Sequence, residues 1–375
     1  MGAAAALLGL AGTGYALYAH LSGNLHADGA TQNELEKYEA ERPPSGPPDA
    51  ENILLIGSDT RGGGNGAYGT DNGTRRADTT LLLHLAADRR SATAVSIPRD
   101  LMVSVPACTG ADGRRTPAGV TPFNAAFQTG GAACVIRTVE KLTGIRVGHH
   151  VIVDFVGFKR MVDAVGGVAM CLPRPLHDPQ ARIDLPAGRQ TLHGEEALGF
   201  VRARKSLGNG SDTQRMERQQ QFLDALVKKV QSNGVLLNPA RLYPLLDAAT
   251  SSLTTDKALA SLTGLYELVR STRAIPAGHV RFMTVPRTGY RYDANRDELA
   301  QPAADQLFHR LARDLPVPAA PASGGAHGPG DSGHTSSPNA SDTTSSDEKT
   351  VSSPTPPTPS RPPIPATTTE RGICE

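Results

Sequence analysis

The 375-residue chain has no tryptophan, and phenylalanine and tyrosine together make up only 4% of it. That scarcity weakens any case for the aromatic stacking platforms that hold single-stranded nucleic acid. A surplus of either charge is also missing, since 38 Lys+Arg stand against 37 Asp+Glu for a formal net charge of +1. A dedicated nucleic-acid binder normally shows a basic footprint in that total, so nucleic acid is not expected as a partner. The four cysteines, Cys108, Cys134, Cys171 and Cys374, form no CxxC, and no histidine sits at zinc-finger spacing, which argues against structural zinc. An even cysteine count in an exported protein favours disulfides instead. Lysine is scarce too, with 8 residues against 30 arginines. Codon usage in a GC-rich genome produces such a bias by itself. The sharper reading is that some guanidinium forks bind phosphate or carboxylate groups.

Residues 1–21 carry no charge if His20 is neutral. A run of roughly 20 such residues spans a hydrocarbon core of about 30 Å. A signal peptide would add a basic n-region and a clear A-x-A site, and neither is evident, so the run reads as an uncleaved transmembrane anchor. No basic flank orients it by the positive-inside rule, so an exterior placement of the domain rests on the rest of the chain. Residues 22–51 are polar, with a short helical pattern (ELEKYEAE) before a PPSGPP spacer, and read as a stalk. Residues 316–375 form a Pro/Ser/Thr-rich tail in which Pro, Ser, Thr and Gly make up 37 of 60 positions. Such a segment buries too little apolar surface to offset its ordering entropy and is expected to be disordered.

The folded part is expected over 52–315. Short apolar runs at 52–57, 78–86, 92–98, 150–155, 167–172 and 280–286 read as strands. Helical patterns lie at 133–144, 157–167 and from Asp212 to about Gln231, with two more helices between 239 and 315. The first strands are joined by links too short for crossover helices and should be antiparallel neighbours. The later strand–helix alternation predicts a layered α-β-α domain around a central mixed sheet.

Charged residues cluster at the ends of these strands. The first ends in Gly57-Ser58-Asp59-Thr60-Arg61, the second opens on Asp78, and the third ends in Pro98-Arg99-Asp100. In adjacent strands, Asp59, Arg61, Asp78 and Arg99 would meet at one sheet edge, where open α/β sheets place ligands. Two carboxylates beside several arginines suit a hard divalent cation together with a phosphorylated ligand. The alternative is a surface ion-pair network. The intervening glycine-rich stretch contains a formal GxGxxG (Gly64, Gly66, Gly69), but a strand follows it rather than a helix. It therefore reads as a mobile loop rather than a dinucleotide site. Further along, Arg202 and Arg204 share a face if their segment is extended. Arg215 and Gln219 stack on one face of the long helix, with Asp212 as its N-cap and Arg218 as a solvated neighbour.

The ordered set GSDTR, RRADTT, SIPRD, FNAAF with a following GG, VDFVGFKRMVDAVGGV, LHGEEALGFVRAR and DTQRMERQQ resembles the LytR-CpsA-Psr family of cell-envelope phosphotransferases, of actinobacterial type. The resemblance covers about 52–315. It implies that Asp59 and Asp78 bind Mg²⁺, with Mn²⁺ as the alternative ion. Arg99, Arg202, Arg204, Arg215 and Gln219 would hold a polyprenyl pyrophosphate head group, and Arg61 matches more weakly. Pro122 stands where the family often has a basic residue. Of the apolar residues around Phe155, Phe158, Met161, Val162 and Val165, which are first of all core, some would line a tunnel for the lipid tail.

The implied function is transfer of a glycan-1-phosphate from a polyprenyl pyrophosphate-linked donor to peptidoglycan, attaching secondary cell-wall polymers such as teichoic acid and releasing polyprenyl phosphate. The catalytic residues would be Arg99, Asp59 and Asp78, in a single-pass protein of the cell membrane whose domain faces outward and contacts membrane lipid. Asp100 is a candidate general base by proximity alone. A pyrophosphate hydrolase using the same site and a non-catalytic binder of lipid-linked glycan remain as alternatives. Cys108 and Cys134 flank an irregular stretch of 25 residues and are expected to be bridged. The pairing of Cys171 and Cys374 stays open.

Overall fold

The structure is a computed structural model, and it describes residues 2–59, 65–66, 77–110, 112–203, 212–232 and 239–318. Six strands build its central sheet: β1 (Glu51–Ser58), β2 (Ala77–Leu85), β3 (Ala92–Ile97), β4 (His149–Val153), β5 (Leu253–Thr255) and β6 (Val280–Thr284). A two-residue edge strand, His26–Ala27, pairs with β5, and the order from that edge is β5-β4-β1-β2-β3-β6. The β1–β2–β3 meander is antiparallel, while β4 joins β1 and β6 joins β3 in parallel. The sheet is therefore mixed, as expected. The run at 167–172 lies outside it, in a separate ladder of Val168–Leu172 with Gly188–Leu192.

Period-two alternation decides which residues meet which layer. Leu54, Ile56, Leu82 and Val95 pack on one side with α3 (Ala125–Thr143) and α9 (Ala303–Ala312). Ile53, Leu85 and Val151 face the other side, with Leu265 and Leu268 of α8 (Leu262–Arg273) beside them. A third cluster joins α4 (Phe155–Ala164), α5 (Gly194–Arg202) and α6 (Asp212–Ser232) through Val162, Phe200 and Phe222. Together these make the predicted α-β-α layering. The region after 239 holds three helices rather than two: α7 (Pro239–Thr250), α8 and α9.

Two readings of the N-terminal region change. The charge-free run forms the helix α1 (Gly2–Gly23), yet among the described residues no helix is long and apolar enough to cross a membrane. Residues 22–51 are not a free stalk, because side chains spread along them dock onto the domain. After α2 (Gly29–Glu36), Arg42 grips the buried Glu140 through both of its oxygens. Arg137 bonds Glu41 at 2.9 Å and lies 3.4 Å from the centre of the Tyr38 ring. Leu35 enters the α3 core, and His20 and Asn24 both reach Asp247 of α7. The Pro/Ser/Thr-rich tail lies outside the described residues from 319 onward.

The Cys108–Cys134 bridge is present, and α3 is built around it. Gly130 and Gly131 break the helix, and a Cβ at Gly130 would meet both cysteine Cβ atoms at about 3 Å. Cys171 is also disulfide-bonded, with its partner outside the described residues. Closing a loop of this length is worth roughly 3–4 kcal/mol in the chain-entropy model. The Cys108→Ser/Cys134→Ser variant should lose about that much stability in denaturant titration. A peptide map of the wild type should recover the linked pair, and two free thiols there would refute it.

His149 and Asp256 fasten the β4–β5 edge at 3.2 Å. Burial alone would raise the Asp256 carboxyl, but the hydrogen bond and charge of His149, with the His150 and Leu259 amides, outweigh it and lower it. The same hydrogen bond, opposed by burial, raises the His149 imidazole. The imidazole's contribution is thus complete below its unfolded value of about 6.5 and fades as pH rises through the raised folded value. The carboxylate's contribution is lost only as pH falls through its depressed value. As pH rises from below 6.5 through the raised imidazole value the wild type should lose about 1 kcal/mol from this pair, and His149→Gln should flatten that decline.

Candidate functional site

Strand register brings the sequence's charged clusters together. Ser58 pairs with Ala77 across β1 and β2, and Thr80 with Ile97 across β2 and β3. The end of β1, the start of β2 and the end of β3 therefore share one edge, and Asp59, Asp78 and Arg99 all line the cavity there. Arg99 Nη1 donates to Asp78 Oδ1 at 3.0 Å, and its Nε donates to Asp100 Oδ2 at 3.2 Å. The other Asp100 oxygen accepts from Arg296. With both oxygens engaged by guanidinium groups, Asp100 orients Arg99 and is poorly placed to take a proton.

Helices α5 and α6 supply the opposite wall. Arg202 is not in an extended segment, as expected from sequence, but is the last residue of α5. That helix starts at Gly194 behind a His193/Glu196 capping box and buries Ala197, Leu198 and Phe200. At its C-terminus Arg202 complements the helix dipole, and its guanidinium carbon lies 4.6 Å from the Phe155 ring centre. Arg215 and Gln219 share a face of α6 and both line the cavity, as their spacing predicts. Asp212 is the first residue of that helix.

Three side chains fix α6 through contacts that sequence reasoning missed. Gln219 Nε2 donates to the Val201 carbonyl at 3.1 Å. Gln220, fully enclosed, donates to Ser96 Oγ at 2.8 Å and Thr284 Oγ1 at 3.0 Å, locking the helix to β3 and β6. Arg218 is 6% exposed rather than solvated, and it donates to the Ala203 carbonyl that ends α5. Burial lowers its pKa, with the charges of Asp178 and Glu217 opposing that shift. The only available signal was the polar run 217–221 on a helix that must be buried on more than one face.

The cavity measures about 530 Å³ and runs between the sheet and α4–α6. Cross-strand partners Leu55 and Leu81 form its floor, while Phe158, Met161, Phe222 and Leu226 close it from the helices. Protein interiors rarely leave voids larger than a water molecule, so a hollow of ligand size with an apolar wall is a candidate binding site. Asp59, Asp78, Arg99, Arg202 and Arg215 put charge in the same hollow. A smaller recess is lined by Asp78, Arg99, Arg215 and Gln219 together.

Asn65, in the glycine-rich stretch, was also missed. Its amide donates to Asp154 Oδ2 at 2.7 Å and accepts from the Val156 amide at 3.0 Å. Asp154 is the N-cap of α4, accepting from Gly157 N, so Asn65 is tied to the helix whose Phe158 and Met161 line the cavity. Gly64, Gly69, Arg61 and Arg204 lie outside the described residues.

Among the described residues there is no group of three or more His, Cys, Asp or Glu side chains that could cage a metal ion. The donor set of Asp59 and Asp78 nevertheless fits Mg²⁺, which takes one or two carboxylates and completes its shell with substrate phosphate and water.

The sequence model of the LytR_cpsA_psr family matches residues 18–313. The chain belongs to this family. Among its relatives, the probable cell wall biosynthesis protein LcpB of Corynebacterium glutamicum is 37% identical over 269 residues, which are 69% of this chain and 60% of that protein. The Enterococcus faecalis polyisoprenyl-teichoic acid–peptidoglycan teichoic acid transferase TagU is 32% identical over 205 residues, 54% of this chain and 60% of that protein. The chain thus spans about 60% of the length of either relative. A LytR-Csp2A-Psr enzyme from Actinomyces oris shares the fold, with TM-score 0.56, 23% identity and coverage of 72% and 93% of the two chains. The structure of TagT bound to LI-WTA gives TM-score 0.52 at 25% identity, covering 72% of this chain and 91% of that one.

Filling the cavity of this family member should separate binding from folding. Met161→Trp should keep the thermal midpoint within a few degrees and weaken binding of an apolar fluorescent fatty acid at least tenfold, measured by titration.

Proposed function

We propose that this protein transfers a glycan-1-phosphate from a polyprenyl pyrophosphate-linked donor to a hydroxyl of peptidoglycan, attaching a secondary wall polymer. The observation that carries this reading is one cavity with arginines and carboxylates in its polar part and leucine, phenylalanine and methionine in the remainder. A ligand that suits both parts has a densely anionic head and a hydrocarbon tail. The names of TagU and of the TagT complex, a peptidoglycan teichoic acid transferase and a protein holding a wall polymer, support the same class of donor and acceptor.

Arg99, Arg202 and Arg215, with Arg61 and Arg204 by sequence, would clamp the pyrophosphate, and Gln219 would donate its amide to a phosphate oxygen. Asp59 and Asp78 would hold Mg²⁺ or Mn²⁺, which when bound supplies further neutralisation of phosphate charge. The apolar wall takes the start of the polyprenyl chain and keeps water from that side of the head group. The acceptor hydroxyl oxygen bonds to the phosphorus that bears the glycan, and the bond from that phosphorus to the bridging oxygen breaks. The bridging oxygen leaves with polyprenyl phosphate, and the hydroxyl proton passes to solvent. Arg99 counters the growing charge on the leaving phosphate, held in place by Asp100.

A polyprenyl carrier resides in a bilayer, so the reading requires α1 to keep the domain at a membrane surface. Its disulfides suit the extracytoplasmic side, where oxidising conditions hold.

Removing one preorganised contact to developing charge costs about 10²–10³ in rate. Arg99→Ala should therefore lower release of polyprenyl phosphate by that factor with the thermal midpoint kept within a few degrees. Wild-type rates in that variant would overturn the assignment. Product analysis with and without peptidoglycan separates transfer from hydrolysis.

A further inference from the structure

A hairpin formed by Arg287–Gly289 and Asp297–Leu299 projects beside the site and contributes nothing to the cavity lining. It is attached where the catalytic strand end turns away: Leu101 bridges to Asp297, and Arg296 bonds the same Asp100 that orients Arg99. The ion pairs run Asp78–Arg99–Asp100–Arg296–Asp293 without a break, the last at 3.7 Å.

The tip of this hairpin is built rather than loose. Tyr290 N donates to the Arg296 carbonyl at 2.9 Å, Asp293 N to the Tyr290 carbonyl at 3.2 Å, and Arg296 N to the Asp293 carbonyl at 3.0 Å. On that frame stand two of the chain's eight tyrosines, with Tyr290 and Tyr292 edge to face at 5.3 Å between ring centres. Tyr292 is 69% exposed, and Arg291 lies over its ring, 4.4 Å from the centre, while also bonding its hydroxyl. An aromatic-poor chain has thus placed an ordered aromatic pair, Tyr292 exposed and Tyr290 half-buried beside it, one ion-pair relay from Arg99.

We propose that Tyr290 and Tyr292 form the acceptor subsite, a platform for the glycan strand that receives the transferred phosphate. The inference rests on the transferase reading above and names where its second substrate lies. A pyranose ring offers a C–H face that packs on a tyrosine ring and hydroxyls that need hydrogen-bond partners at its rim. Tyrosine combines an apolar face with a polar tip, and the exposed Asp293 and Asn295 supply polar groups at the edge. Distance agrees: Tyr290 sits across the hairpin from Arg296, a backbone separation of about 5.5 Å, and one carboxylate separates Arg296 from Arg99. A sugar on the platform is therefore joined to Arg99 by an unbroken run of contacts through Arg296 and Asp100. A rigid platform also avoids an ordering cost on binding.

The test uses the full chain, a lipid-linked donor and a soluble β-1,4-linked N-acetylhexosamine hexasaccharide as acceptor probe. Tyr290→Ala/Tyr292→Ala should raise KM for the hexasaccharide at least tenfold while kcat, donor hydrolysis by water and the thermal midpoint stay at wild-type values. Tyr292→Phe, which keeps the ring, should stay within about threefold. Tyr266→Ala, removing another exposed tyrosine on α8, should change nothing. Wild-type KM in the double variant overturns the subsite. So does a parallel loss of donor hydrolysis, which would mark a structural role, or loss of anionic-vesicle binding with glycan binding intact. Calorimetric binding of the hexasaccharide without donor separates this proposal from the function beneath it. Tyrosine-dependent binding by a protein that turns over no donor would sink the transferase reading and leave a glycan platform.

Discussion

The antiparallel register of β1, β2 and β3 is the constraint on which the rest depends. It turns three charged segments, far apart in residue number, into one edge carrying Asp59, Asp78 and Arg99. A slip of one residue in either pairing would turn the leucine face toward the wrong layer and carry the aspartates with it. Burial of Leu54, Leu82 and Val95 against α3 makes that slip prohibitive. The position of the charged site is thus enforced by hydrophobic burial, and the charges need not secure their own location. The Arg99–Asp78 contact can then be modest in strength and available for exchange with a ligand.

That logic extends to the cavity. Leaving a hollow over Leu55 and Leu81 forfeits some dispersion contacts, a cost the fold carries elsewhere through three separate clusters. Beside the apolar contacts of Phe222 with α4 and α5, polar contacts at its edges hold helix α6 across the gap: Gln220 to Ser96 and Thr284, Gln219 to Val201, and Arg218 to Ala203. Directional bonds fix a helix at a set distance without filling the space beneath it, which apolar packing could not do. Filling is what hydrophobic side chains accomplish, and here it would close the site.

These same contacts mark the limit of what could be read from the sequence. Strand-end residues such as Asp59, Asp78 and Arg99 were legible because alternation and short links fix the sheet edge locally. Arg215 and Gln219 were legible from helical spacing. Arg202 was picked out but on the wrong backbone, an extended segment instead of the end of α5, because the capping box at His193 and Glu196 went unread. Arg218 and Gln220 were not legible, since their burial depends on β3, β6 and the end of α5 arriving from elsewhere in the chain. The supposed stalk failed for the same reason. Leu35 and Arg42 look like residues of a polar linker until α3 presents a core and Glu140 to receive them.

The arginine surplus can now be divided by task. Arg42 and Arg137 fasten the N-terminal segment to α3, with Arg42 using the two-pronged geometry that lysine lacks. Arg99, Arg202 and Arg215 line a hollow, and Arg296 braces the carboxylate that orients the first of them. Codon bias can set how many arginines a chain holds, but it does not select guanidinium groups for both a bidentate grip on Glu140 and a relay through Asp100. Near-neutral total charge follows from that division. Several of these arginines are matched by carboxylates, Arg42 by Glu140, Arg137 by Glu41 and both Arg99 and Arg296 by Asp100, which leaves room for a cluster of guanidinium groups in a near-neutral chain. The selectivity such a site needs is for one anion in one place, and a surface that attracted every anion would work against it.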